Sequence, residues 1–188
     1  YPPEDFNTKR MNNVEAVEKA IELATAYNTV YVNGTVGQKL TNGLITDTLH
    51  WSEGNETREK KVRALVKNNY YAFDCSGMVK TAYFANGVIL ARDASQQALT
   101  GEKIAPEAWR DCRKGDLLFF GNAQTGRVTH VAMYLGDGKF IHASGRVKVN
   151  SIDPQAEDFV GYPCLSISRI VGRIGTPGIA RVAGHPWY

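Results

Sequence analysis

Tyr71-Ala-Phe-Asp-Cys-Ser-Gly-Met-Val79 sets a cysteine between two small polar residues and then runs into an apolar pattern with helical spacing. Asp74 suits the position just before a helix, where a carboxylate accepts hydrogen bonds from first-turn amides. Cys75 then falls in the first turn. Met78, Val79, Ala82 and Tyr83 continue one helical face, and Asn86-Gly87 supplies a C-terminal stop. A helix N-terminus presents unpaired amides and the positive end of the dipole, which lower a thiol's pKa and favour the reactive thiolate. The amide of Cys75 or Ser76 could also serve an oxyanion hole. Taken alone, the stretch is balanced between a nucleophile and a buried structural thiol, the commoner fate of a cysteine.

The rest of the composition narrows the class. A chain of 188 residues, 43% hydrophobic and 22% charged, is long enough for one globular domain with a core of its own. Its 22 basic and 19 acidic residues leave a net charge of +3, too mild to argue for nucleic acid yet no obstacle to an anionic polymer such as a cell wall. Apolar runs such as Leu117-Leu-Phe-Phe120 are strand-length, so no membrane span is expected. Three cysteines do not close into a disulfide framework. Cys112 and Cys164 are expected as buried thiols, which leaves Cys75 free. The sequence opens on Tyr1 without an apolar leader, so it is expected to be a mature or trimmed form.

Upstream, residues 1–28 read as a polar arm followed by a helix at about 13–26, with Asn12 and Glu15 as a capping pair. Thr29-Val-Tyr-Val32 is strand-like and is broken by Asn33-Gly34. Residues 35–56 lack periodicity and read mostly as loop, and Glu56 to Asn68 reads as a helix with a solvated basic face.

Downstream, Gly87 to Leu90 leaves the helix as a short apolar run. Arg92, Ser95 and Gln97 follow and could line a cleft or cap the next helix. Pro106 to Asp111 is a helical turn anchored by Trp109, and Lys114-Gly-Asp116 turns into the strand Leu117–Phe120. Val128 to Leu135 and Lys139 to Ser144 read as two strands joined by Gly136-Asp-Gly138. With a three-residue loop, Leu135 pairs with Lys139 and Ala132 with His142. Val131, Met133, Leu135, Ile141 and Ala143 then share the greasy face. His130 and His142 become diagonal neighbours on the other face, roughly 6–8 Å apart at the backbone. Two histidines together on one face, after a cysteine at a helix start, point to a thiol hydrolase. His130 would be the base and His142 the group that orients it. A zinc site from Cys75, His130 and His142 lacks any close-spaced ligand pair, so neither a metal nor a cofactor is expected.

Three blocks, Asp74-Cys-Ser-Gly77, Lys114-Gly-Asp-Leu-Leu-Phe-Phe120 and Thr129 to Ala143, together resemble the NlpC/P60 family of cell-wall cysteine peptidases. The resemblance covers about residues 71–174. It implies a papain-like α+β fold, with the catalytic cysteine at a helix N-terminus packed on a central antiparallel sheet. It implies a secreted or wall-associated endopeptidase, expected as a monomer, that cuts peptidoglycan stem peptides, typically between γ-D-glutamate and diaminopimelate or lysine. Carried over by position, Cys75 is the nucleophile, His130 the base and His142 the third polar member. Asp74 and Ser76 match positions facing the substrate's N-terminal side, and Arg92, Ser95 and Gln97 match a stretch bordering the cleft. Relatives carry a tyrosine a dozen or so residues before the cysteine. Here Tyr31 matches it only if residues of about 35–68 are an insertion; Tyr70 or Tyr71 is the other candidate. On this reading residues 29–174 form the catalytic domain and 175–188 a tail, either a packed strap or disordered. Two further readings stay open: an amidase or acyltransferase on wall peptides, and a catalytically silent wall-binding module.

Overall fold

A computed structural model describes residues 29–31, 36–39 and 71–186, with side chains from Phe73 onward. The helices expected at about 13–26 and 56–68, Tyr70, and the final Trp187-Tyr188 lie outside the described residues.

Eleven strands are described: β1 (Thr29–Tyr31), β2 (Val36–Lys39), β3 (Tyr71–Phe73), β4 (Val88–Leu90), β5 (Glu102–Ile104), β6 (Leu117–Asn122), β7 (Arg127–Gly136), β8 (Lys139–Ser144), β9 (Arg146–Ser151), β10 (Cys164–Arg169) and β11 (Ile179–Arg181). The α-helices are α1 (Cys75–Phe84) and the single turn α2 (Ala94–Gln97), and Pro106–Asp111 is a 3-10 turn. Nine strands form one sheet in the order β2-β3-β1-β9-β8-β7-β6-β10-β5, and β11 pairs β4 in a ribbon of two. Every pairing is antiparallel except β1 with β3. This is the expected α+β layout, with α1 carrying Cys75 at its first residue.

Local chemistry explains the start of α1. Asp74 takes an extended conformation and its Oδ1 accepts from the Gly77 amide at 2.7 Å, the expected N-cap. The helix buries Met78, Val79, Ala82 and Tyr83 against Leu117, Phe119, Val131, Met133, Ile141 and Ala143 on one face of the sheet. The opposite face is also covered. Leu118, Phe120, Ala132, Tyr134, Phe140 and Ile167 form a second core, with Trp109 of the 3-10 turn packed on it. This is why Leu117-Leu-Phe-Phe120 is apolar at every position, where a half-exposed strand would alternate. The face carrying the histidines, which the parity argument set opposite the greasy one, is itself a packed layer with the imidazoles at one end.

The central hairpin keeps the predicted register in its body, with Met133 opposite Ile141 and Tyr134 opposite Phe140. At the turn, Lys139 pairs with Gly136 rather than Leu135. Asp137 and Gly138 both take positive φ (50° and 74°), so the loop is the two-residue kind that matches strand twist, and Leu135 is left in a bulge. The ladder stops at Met133–Ile141, so the expected Ala132–His142 pair is not hydrogen-bonded and β7 and β8 part as they approach His130 and His142.

Two other segments differ from the sequence expectations, and a third is decided between two alternatives. Val36–Lys39, read as loop, is the strand β2, which has no alternation to betray it because it forms by pairing with β3 at the sheet's edge. The apolar-rich run Ile167 to Ile174 reads in the sequence as the last strand, and the strand observed in the main sheet is Cys164–Arg169 instead. Ile170, Val171 and Ile174 pack on the helix-side core from a turn, so their apolar run reflects burial rather than pairing. Of the two alternatives for the tail, the packed strap is the one observed through Pro186: β11 pairs β4, Val182 N–H donates to the Gly87 carbonyl at 2.9 Å, and Ile179 and Val182 are buried.

Candidate active site

The site is built where α1 begins and where β7 and β8 separate. Cys75 is a buried free thiol at the head of α1, and Cys112 and Cys164 are also free but only half-buried. Burial pushes the Cys75 thiol above its ordinary value, and the Asp74 carboxylate beside it pushes the same way. The backbone N–H groups of Val131, Ser76 and Cys75 itself point at the sulfur and pull it down without prevailing. The expected depression of the thiol pKa by the helix start is therefore outweighed by loss of water. The Val131 contact also fixes where the sulfur lies: against the β7 backbone at the residue after His130.

His130 and His142 meet as the hairpin parity predicted. His130 Nε2 and His142 Nδ1 are 2.8 Å apart, and the rings stand edge to face with centroids 5.0 Å apart. His142 is fully buried, and its Nε2 lies 2.9 Å from Asn150 Oδ1 on β9. Burial, then the neighbouring His142 and Lys148, lower the His130 pKa to about 4. Burial likewise lowers that of His142, against the bond to Asn150, which raises it. At neutral pH the pair is thus uncharged, and the His130 Nδ1 has no hydrogen-bond partner among the described residues.

A second network flanks the thiol on its helix side. Arg92 grips Asp74 with both terminal nitrogens, at 2.6 and 3.1 Å, and also donates to Ser76 Oγ at 3.0 Å. Gln97 is fully buried and donates to the carbonyls of Ser76 and Ala91 at 3.2 and 2.9 Å. Four of the sequence candidates, Asp74, Ser76, Arg92 and Gln97, are thus brought together. Ser95 stands exposed on α2, and among the described residues no hydrogen bond joins it to that network. Tyr31 lies opposite Phe73 in the parallel β1–β3 ladder, so its backbone comes within two residues of the thiol despite the separation in sequence. Tyr71 lies opposite Thr29, farther from Cys75 along the same strand.

On the histidine side an open pocket of about 240 Å³ is lined by Phe120, Gly121, Thr129, His130, Ser144, Tyr162 and Pro163. Tyr162, 42% exposed, sets its ring edge-on to His130 and His142, each at 6.4 Å. Sequence reasoning did not single out Tyr162 or Asn150. For Asn150 a signal existed, since alternation in Val147-Lys-Val-Asn150 puts it on the face of His142; for Tyr162, within an aperiodic loop, there was none. Among the described residues no group of three or more His, Cys, Asp or Glu side chains could hold a metal ion, and no helix is long and apolar enough to cross a membrane.

The model of the NlpC/P60 family matches residues 52–167. The chain belongs to the NlpC/P60 family. That match takes in α1, the central hairpin and β9, so the thiol, both histidines and Asn150 all fall inside it. Among curated proteins, the chain is 43% identical over 74 residues to a γ-D-glutamyl-L-lysine dipeptidyl-peptidase of Bacillus cereus, covering 39% of this chain and 21% of that protein. It is 35% identical over 86 residues to the peptidoglycan endopeptidase RipB of Mycobacterium tuberculosis, covering 46% and 33% respectively. The chain thus spans between a fifth and a third of the length of these relatives. Among solved structures, NlpC2 of Trichomonas vaginalis superimposes with a TM-score of 0.55 at 25% identity, covering 82% of this chain and 46% of that one.

Proposed function

We propose that this NlpC/P60 domain is a cysteine endopeptidase of peptidoglycan stem peptides, cutting the bond from γ-D-glutamate to diaminopimelate or lysine. The observation that carries the reading is the 2.8 Å contact of His130 with His142 on the strand that also backs the Cys75 sulfur. Two groups that are neutral at rest suit a general-base mechanism rather than a standing ion pair. His130 Nδ1 takes the thiol proton as the sulfur attacks the scissile carbonyl, and the amides at the head of α1 face the developing oxyanion. The imidazolium then protonates the leaving amine, and water, activated by the same imidazole, frees the acyl group from the sulfur.

Binding roles follow from placement. The accessible edge of the Asp74–Ser76–Arg92 network is Arg92, 35% exposed, which faces the substrate while Asp74, buried and bound to it through both oxygens, holds it in place; Ser95 and Tyr31 are further candidates for the same side of the cleft. Gln97, being buried, acts on the substrate only by holding the Ser76 and Ala91 carbonyls. Tyr162 walls the pocket next to His130, where it suits the aliphatic part of the leaving residue. The names of the relatives support a γ-D-glutamyl bond, and a wall substrate places the protein outside the membrane as a secreted or wall-associated hydrolase.

Incubation with defined lysine-type and diaminopimelate-type stem peptides, with the products weighed by mass spectrometry, tests the reading. Cleavage on the C-terminal side of γ-D-glutamate is expected, and Cys75→Ala or His130→Ala abolishes it while circular dichroism is unchanged. Undiminished cleavage by Cys75→Ala overturns the mechanism, and acyl transfer without a hydrolysed product would make the protein a transferase.

A further inference from the structure

A hydrogen-bond chain continues past the two histidines, and its far end is not ambiguous. Asn150 Nδ2 donates to the backbone carbonyl of Asp158 at 3.1 Å. A carbonyl oxygen only accepts, so the amide nitrogen of Asn150 must face Asp158 and its Oδ1 must face His142. Oδ1 in turn only accepts, so His142 carries its proton on Nε2, 2.9 Å away. The Nδ1 of His142 is then bare and can only accept, so His130 must donate to it from Nε2 across 2.8 Å. This leaves the Nδ1 of His130 as an unprotonated lone pair. Each link determines the next.

The Asp158 carbonyl is itself placed by other bonds. It also accepts from the Ser151 amide at 3.2 Å, and the Asp158 carboxylate is paired with Lys139 at 2.6 Å. The groups facing the imidazoles from every side are few. Phe120 and Phe140 pack on them from β6 and β8, Tyr162 from the loop, Lys148 stands opposite His142 on β9, and none of these hydrogen-bonds either ring. Without Asn150, nothing in this layer would distinguish the two neutral forms of His142, and a flip there would turn His130 Nε2 into the acceptor and Nδ1 into the donor.

We infer that Asn150, anchored on the Asp158 carbonyl, is a positioning residue that fixes the tautomers of His142 and His130 and so keeps the His130 Nδ1 free to take a proton. The inference rests on His130 being the base toward Cys75, but it does not rest on what substrate is cut.

Long-range proton–nitrogen NMR correlation on the whole chain reads the tautomers directly. In the wild type both rings are expected as the Nε2–H form near neutral pH. Asn150→Asp loses the donor to the Asp158 carbonyl but keeps an obligate acceptor at His142, so the Nε2–H form of both rings is expected to persist. Asn150→Leu, of similar size and without an acceptor, spreads His142 over both forms and lowers the Nε2–H population of His130. It also slows site-resolved iodoacetamide alkylation of Cys75, and it lowers kcat on stem peptides by roughly tenfold or more with KM little changed. A wild-type His130 protonated at Nδ1 overturns the inference, as does an Asn150→Leu protein whose tautomers and alkylation rate match the wild type. Should Asn150→Leu fail to fold, the wild-type spectrum and the Asn150→Asp comparison still decide. A wild type with the expected tautomers and no activity on stem peptides would sink the substrate assignment and leave the relay standing.

Discussion

Asp74 does three jobs that two substitutions can separate. Its Oδ1 caps α1 through the Gly77 amide at 2.7 Å, its two oxygens pair with Arg92 at 2.6 and 3.1 Å, and its charge sits next to the Cys75 thiol. Asp74→Asn keeps a good cap, since asparagine and aspartate rank together there, but loses the ion pair. Asp74→Ala loses both. The cap contributes about 1 kcal/mol. The pair lies between exposed pairs, which contribute little, and buried ones, whose disruption costs several kcal/mol; with Arg92 35% exposed and Asp74 7%, roughly 1–2 kcal/mol is the reasonable range. Thermal unfolding should therefore show a loss of roughly 1–2 kcal/mol for Asn and roughly 2–3 kcal/mol for Ala, or roughly 5–10 °C for the latter in a chain of this size. The thiol responds with the opposite sign. Removing a neighbouring negative charge favours the thiolate, so the pH profile of Cys75 alkylation should move to lower pH in Asp74→Asn even as the protein becomes less stable. Equal destabilisation by the two variants would refute the capping argument. An alkylation profile that stays put or moves up would refute the electrostatic one.

Three further outcomes follow from two buried groups. Burial holds His130 at about 4 against an ordinary 6.5, so it stays neutral and competent as a base down to about pH 4, and the acid limb of kcat/KM on stem peptides should fall there; a limb near 6.5 would mean the imidazole is better hydrated than its packing indicates. Because the folded-state value lies below the unfolded one, the same group adds stability above about pH 6.5 that is lost as the pH falls towards about 4, visible as a falling urea midpoint over that window. Asp116 is 1% exposed and takes Arg169 at 2.8 and 3.1 Å together with the Arg113 amide at 2.8 Å, so Asp116→Ala leaves a half-buried guanidinium unpaired and should cost about 3–5 kcal/mol by chemical denaturation, a loss under 1 kcal/mol counting against it.

What could be read from the sequence was what local chemistry or strand period determines. Asp74-Cys-Ser-Gly specifies a helix start by capping alone, and Cys75 stands at its head. The period of two along β7 and β8 specifies which side chains share a face, and it brought His130 and His142 together even though the turn register was one residue off beside the glycines. What could not be read depends on partners distant in the chain. The second core behind the sheet needs Ile167 and Trp109 to close over Leu118 and Phe120, and nothing in either stretch announces the other. The direction of the Cys75 pKa was misjudged because the dipole is a property of the helix while desolvation is a property of everything packed around it. Tyr162 reaches the histidines from a loop whose course is set by the β10 pairing, and Asn150 matters only because the Asp158 carbonyl stands behind it.

The strap at the C-terminal end has a consequence for how the protein is handled. Among the described residues β11 is the strand that pairs with β4, and β4 ends at Leu90, two residues before the guanidinium that clasps Asp74. The family match stops at residue 167, so an expression clone trimmed to that boundary would delete Ile170, Ile179 and Val182 from the interior and strip β4 of the strand it pairs with among the described residues. Such a clone keeps Cys75, His130 and His142 yet loosens the arm that holds Arg92. Weak turnover from it would report on a missing brace far from the thiol, and would say nothing about the chemistry of the intact chain.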